Sequence, residues 1–200
     1  MRWNTFFAAM FCVALSACAT YTAVDPNKPV TIGDGVTVDA QVAWATTSSY
    51  QTGTVWTIDG LRLNSLRFLT GITPGNPMMT IPGLARKDMI PYSESMLPND
   101  VMDLVTGTLA KGGFQQVRAD NLKPAPFGSV PGFRFDVSLT TEDGLLMKGT
   151  SLIAQRGGKL DVILFLAPAE YYYDRSLPTV ERIFASVRVP AAAAAKAPGA

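Results

Sequence analysis

The sequence predicts an α+β fold, a mainly antiparallel sheet with two main helices packed on it. Three observations lead there. Phe133, Phe135, Val137 and Leu139 alternate with Arg134, Asp136, Ser138 and Thr140, the period of a half-buried strand. Val101, Leu104, Val105, Thr108 and Leu109 recur at i, i+3 and i+4, the stripe of a helix resting on a sheet. The order along the chain is strands, a helix, a three-strand meander and a second helix, and helices that twice follow strands imply an antiparallel sheet with helices on it.

Val36-Thr37-Val38 opens the strands, and Val42, Trp44 and Thr46 continue one face with Ala43 and Ala45 on the other. Thr54–Ile58 and Leu61–Thr70 flank Asp59-Gly60, a hairpin signal. The apolar phase changes between Leu63 and Leu66, which predicts a bulge near Asn64-Ser65. The first helix follows Pro98, takes Asn99 or Asp100 as its cap and ends at Gly112-Gly113. A short strand is expected over Phe114–Ala119. Glu142-Asp143-Gly144 turns the Phe133 strand into Leu145–Gln155, and Gly157-Gly158 turns that into Leu160–Ala167. The run Val162–Ala167 is apolar without alternation, as in a central strand covered on both faces. The last helix is expected from Ser176, with Pro178 in its first turn and Val180, Ile183 and Phe184 facing inward; Ser186–Val189 would add an edge strand. Trp44 and Trp56 fall on strands and read as core.

The 200 residues are 48% hydrophobic and 16% charged, enough for one packed core. The net charge of +1 gives no single-sign field, so nucleic acid is not an expected partner. Histidine is absent, which excludes Ser-His and Cys-His catalysis and histidine metal sites.

Residues 1–17 read as a signal peptide: Arg2, an apolar run from Phe6 to Leu15, then small residues, too short to span a bilayer. Leu15-Ser16-Ala17-Cys18 resembles the bacterial lipobox; the bland alternative is ordinary cleavage after Ala19. The lipobox resemblance implies acylation of Cys18 (palmitate among the chains), discarding of Cys12 and a membrane partner through the lipid. Each buried methylene contributes about 0.8 kcal/mol, so two or three chains anchor stably. Ala19, rather than Asp, after the cysteine implies the outer membrane, facing the periplasm. Residues 18–29 then read as lipidated cysteine and tether, 30–189 as a single domain, and 190–200 as a disordered Ala/Pro-rich tail.

The element order and the closing pattern Ala167-Pro168 … Ile183-Phe184-Ala185-Ser186-Val187 resemble the Mog1/PsbP-like α/β/α sandwich over residues 36–189. That fold occurs in DcrB-type lipoproteins of undefined role, and Trp56-Thr57-Ile58-Asp59-Gly60-Leu61 is similar to a segment of envelope lipoproteins. The resemblance brings no catalytic residues, and fold alone does not decide function.

Candidates for chemistry are few. Asp100 with Asp103, and Glu142 with Asp143, are the paired acids; the plain reading is helix-dipole partners and solvated turn residues. Gly33-Asp34-Gly35 reads as a turn, since the third glycine and the following helix of a dinucleotide site are missing. No cofactor and no metal are expected. Met78, Met79, Met89 and Met96 lie in the proline-rich segment 71–97, where thioethers suit Cu(I), an adaptable partner surface, or apolar cover over the core. Tyr171-Tyr172-Tyr173 cannot all face inward, so at least one is expected to be exposed; a partner or ligand contact is one reading of the run, and two of the rings packing on the sheet edge is the other.

The leading expectation is therefore a non-enzymatic, membrane-anchored periplasmic lipoprotein that binds an envelope protein partner. The second is a small-ligand or lipid-binding module with a cleft between the sheet and segment 71–97. The third is an enzyme using carboxylates or tyrosine.

Overall fold

A computed structural model describes residues 21–49 and 53–190. The expected signal peptide, Cys12, Cys18 and the tail beyond Pro190 lie outside the described residues. The strands are β1 (Thr22–Val24), β2 (Pro29–Ile32), β3 (Val36–Asp39), β4 (Trp44–Ser49), β5 (Gly53–Thr57), β6 (Ser65–Ile72), β7 (Gln115–Phe127), β8 (Val130–Thr140), β9 (Leu146–Arg156) and β10 (Lys159–Pro168). The helices are α1 (Pro98–Lys111) and α2 (Tyr172–Ala185). Eight strands form one antiparallel sheet in the order β1-β4-β5-β6-β10-β9-β8-β7, and β2-β3 is a separate hairpin.

The α+β fold is as expected, with three layers. β10 is buried from Leu160 to Pro168 and lies between β6 and β9. On one face Ile163, Phe165 and Ala167 pack with Trp44, Trp56 and Phe68 against α2 (Val180, Ile183, Phe184) and the β2-β3 hairpin. On the other, Leu160, Val162, Leu164 and Leu166 pack against α1 (Val101, Leu104, Val105, Leu109), with Met78 and Tyr92 from the long segment after β6. Every residue of the expected α1 stripe is buried, and both tryptophans are core.

Several elements differ from the sequence reading. Residues 22–24, expected in the tether, pair with β4 as the edge strand β1, because Val24 gains burial against the Trp44 cluster. The single alternating run from Val36 to Thr46 is two strands. Gln41 at φ 67 forms a γ-turn, with the Val42 N–H donating to the Ala40 carbonyl at 2.8 Å, and carries the chain from the hairpin into the sheet. Gly33-Asp34-Gly35 is the turn of that hairpin.

The phase change before Leu66 marks the start of β6 rather than a bulge. The bulge sits at the far end of β6, where register against β10 shifts between Leu160 and Val162. There the Gly71 N–H donates to the fully buried Asp161 at 2.7 Å, and Arg156 Nε donates to the same carboxylate at 3.0 Å. Burial nevertheless pushes the Asp161 carboxyl above the usual carboxylate range.

β7 is 13 residues long, not a short strand. Pro124 and Pro126 are tolerated because β7 is an edge, and two register shifts accompany positive φ at Gln116 and Asn121. α2 begins at Tyr172, four residues before the expected start, so Pro178 lies inside it. Pro178 is exposed, so the missing bond to the Asp174 carbonyl faces solvent. Beyond α2, Arg188 makes a single bridge to Thr37 and pairs with Asp39.

Phe165→Ala removes a fully buried side chain from the most enclosed strand. It is expected to cost about 3–5 kcal/mol of unfolding free energy, read by urea denaturation. A cost under about 1 kcal/mol would contradict the packing described.

Candidate functional site

Seven large apolar side chains are exposed among the described residues: Tyr21, Ile58, Leu61, Leu97, Leu145, Leu146 and Tyr171. Five of them, Ile58, Leu61, Leu145, Leu146 and Tyr171, lie at one end of the sheet, in or directly after three connections: β5-β6, β8-β9 and β10-α2.

The β5-β6 connection is built on Asn64, which is fully buried. Its Oδ1 accepts from the Thr57 hydroxyl (2.8 Å), the Ile58 N–H (2.8 Å) and the Asp59 N–H (3.4 Å), and its Nδ2 donates to Asp59 Oδ2 at 2.7 Å. One side chain thus fixes the loop that displays Ile58 and Leu61.

The β8-β9 connection is fixed by Thr141, whose hydroxyl donates to Asp143 Oδ1 at 2.5 Å and accepts the Leu145 N–H at 2.9 Å. The Thr141 hydroxyl is the main reason that the Asp143 carboxyl lies below the usual range. Leu145 and Leu146 follow, 42% and 53% exposed. A groove of about 610 Å³ lies between these two connections and the end of α1, lined by Leu61, Phe114, Leu145 and Met147 with Arg62, Glu142 and Asp143 among its polar residues.

The β10-α2 connection presents Tyr171. Its φ of 67° and ψ of −57° make a γ-turn of the rare positive-φ kind, with the Tyr172 N–H donating to the Glu170 carbonyl at 2.8 Å. Such strain persists only where neighbours over-determine it, and it gathers at functional positions. The neighbours are present. Arg175 stands 5.5 Å over the Tyr171 ring and pairs with Asp59 at 3.7 Å, Tyr172 packs edge-on at 5.2 Å, and the Ala169 N–H donates to the Leu146 carbonyl at 2.9 Å. Tyr171 is therefore 66% exposed but held in place, and Arg175 ties its connection to the Asn64-braced loop.

The three expected tyrosines separate. Tyr171 points outward and Tyr172 lies on the seam. Tyr173 is buried, stacked on Phe165 at 5.9 Å with the Lys148 ammonium 5.8 Å over its ring. Burial, then Asp136, pushes the Tyr173 phenol up to about 12.

Met78 and Met89 are buried; Met79 and Met96 are half-buried against the α1 side. Their segment closes over that face through a Pro77–Pro91 bridge, a 3₁₀ turn at Arg86–Asp88, and Tyr92, whose hydroxyl accepts from Gln155 at 3.2 Å. These four methionines therefore turn mainly to the core. The space beside the segment is about 340 Å³.

A larger cleft, about 660 Å³, opens on the opposite face between the β7-β8 turn and the end of α2. Its walls include Pro126, Phe184 and Val187. Arg134 at its base is held by both Glu181 oxygens (2.6 and 2.8 Å) and donates to Thr150 at 2.9 Å.

The paired acids do not converge. Asp100 is the third residue of α1 rather than its cap, a place taken by Leu97, whose N–H it accepts at 2.8 Å, and Asp103 is exposed one turn on; Glu142 and Asp143 are exposed beside the other end of that helix, about 20 Å away. Among the described residues no three acidic side chains group as metal ligands.

Ile58, Leu61, Leu145, Leu146, Asp59 and Arg175 were not singled out as site residues from the sequence. A signal was there: Asp-Gly-Leu occurs at both turns, residues 59–61 and 143–145, placing a large apolar residue where a polar one is usual.

No family model matches the chain, and no curated protein matches it. Among solved structures, the solution structure of cyanobacterial PsbP (CyanoP) from Synechocystis sp. PCC 6803 is similar, with a TM-score of 0.50 and 14% identity over 88% of this chain and 95% of that one. At that identity the likeness is one of fold. The Mog1/PsbP-like resemblance seen in the sequence holds at that level.

Asn64→Ala leaves buried donors without their acceptor and is expected to cost about 2–4 kcal/mol by urea denaturation, and to abolish the fixed display of Ile58. Tyr173 gives a pH test. Its pKa is higher folded than unfolded, so its favourable contribution is complete below pH 10 and is lost as the pH rises towards about 12. Tyr173→Phe is expected to gain stability relative to wild type across that window; a difference constant between pH 8 and pH 12 would refute the burial argument.

Proposed function

We propose that this chain is a lipid-anchored envelope protein, without catalytic activity of its own, whose domain docks a partner protein through the end that presents Tyr171. The observation that carries the reading is the gathering of five exposed large apolar side chains at one end of the sheet, with Tyr171 held in a strained γ-turn by neighbours that include Arg175. Rigid aromatic anchors in a partly apolar surface are what protein interfaces use. The lipobox-like Leu15-Ser16-Ala17-Cys18 supports the anchor, and Ala19 supports an outer-membrane, periplasm-facing place. No helix among the described residues is long and apolar enough to cross a membrane. The two acid pairs, Asp100 with Asp103 and Glu142 with Asp143, are exposed and about 20 Å apart, so they do not converge for general acid–base work, which supports the non-enzymatic reading.

A ligand-binding role is the second reading, favoured by one observation: the 660 Å³ cleft above Arg134 has the size of small-molecule sites. Its place is the α2 face, not the space under segment 71–97 where the sequence put it.

A photo-crosslinking residue placed at Tyr171 or Leu146, in cells making the full chain, distinguishes the two. The expected result is one discrete protein adduct from both positions and none from Asp120 on β7. Adducts equal at all three positions would sink the docking reading. A small molecule that co-purifies with wild type and is lost in Arg134→Ala would move the cleft ahead.

A further inference from the structure

Resting on the anchored reading above, we infer that the domain stands on its bilayer with the β4-β5 end of the sheet down, so that the Tyr171 end meets a protein domain lying in the aqueous space above the bilayer, not one embedded in it. Tether length and chain direction set this orientation. Cys18 is followed by only three residues before β1 begins at Thr22. Four residue steps span at most about 14 Å. β1 is hydrogen-bonded into the sheet, antiparallel to β4, with Thr22 opposite Thr46 and Val24 opposite Trp44. The chain therefore enters the sheet from the side where β4 ends at Ser49.

That end also carries the β2-β3, β7-β8 and β9-β10 turns and the start of α1. It holds the two remaining exposed large apolar residues, Tyr21 (47%) immediately before β1 and Leu97 (67%) at the α1 start. A tyrosine beside a short lipid tether suits the headgroup layer, where amphipathic rings concentrate. The other five exposed apolar residues are all at the opposite end. Strands of 11 residues make the sheet about 35 Å tall. With the Ser49 end down, a 14 Å tether leaves the Tyr171 end clear of the bilayer. An 11-residue tether would have allowed any orientation; the pairing of residues 22–24 removes that freedom.

The test uses the full lipidated chain in phosphatidylcholine vesicles carrying a headgroup quencher. Leader removal and acylation leave no free thiol, so single cysteines report cleanly. Lys87→Cys and Ser129→Cys place a fluorophore at exposed sites of the lower end, on different sides of the sheet; Glu142→Cys places one at the upper end. Quenching several-fold stronger at 87 and 129 than at 142 is expected. Equal quenching at all three, or stronger quenching at 142, overturns the orientation. Quenching at 87 with little at either 129 or 142 means that the domain lies towards its β1 edge, since 129 and 142 both belong to the β7-β8 side of the sheet, and also overturns it. Cys18→Ala separates the two levels of the argument: if it floats with vesicles as wild type does, the anchor itself is wrong, whatever the labels read.

Discussion

Strand β10 has no face that can meet water, and the rest of the molecule is arranged around that constraint. Nine consecutive residues from Leu160 to Pro168 are buried, so both sides of the sheet must be covered. α1 with the methionine-bearing segment covers one side; α2 with the β2-β3 hairpin covers the other. The one buried charge in the strand, Asp161, is retained because it serves a second purpose. It satisfies the N–H that the β6 bulge frees at Gly71, and Arg156 balances it. A buried carboxylate with fewer partners would be costly.

The candidate site follows from the same layering. Covering both faces leaves the ends of the sheet as the places where large side chains can reach solvent. At one end three connections converge, and each is fixed by a local device: Asn64 under the β5-β6 loop, Thr141 in the β8-β9 turn, and the γ-turn at Tyr171. Arg175 joins the first to the third. Such fixed loops lose little conformational freedom when something binds them, which makes exposed leucines and a tyrosine there more than incidental.

What the sequence made legible was periodicity. The α1 stripe, the β8 alternation and the unbroken β10 run each report burial by their spacing, and each is in place. Contacts distant in the chain were not legible. β1 owes its order to Trp44, twenty residues on; the length of β7 depends on its being an edge, which no local pattern states; α2 starts early because Tyr173 finds Phe165. For the site, the tyrosine run indicated one outward ring but not which. The apolar neighbours of Tyr171 come from three separate stretches that only the fold brings together.

β7 has one further consequence. An eight-stranded open sheet has two bare margins, each able to template a strand from another copy. β1 offers only three residues, followed by Asp25 and Pro26. β7 offers 13, but Pro124 and Pro126 lack donors, and the kinks at Gln116 and Asn121 interrupt the ladder. Among the described residues, neither margin presents a long run of free hydrogen-bonding groups in register. The sheet is thus protected against edge-to-edge pairing by its own backbone chemistry, which lets the molecule expose apolar side chains at one end without inviting its copies to stack along the edges.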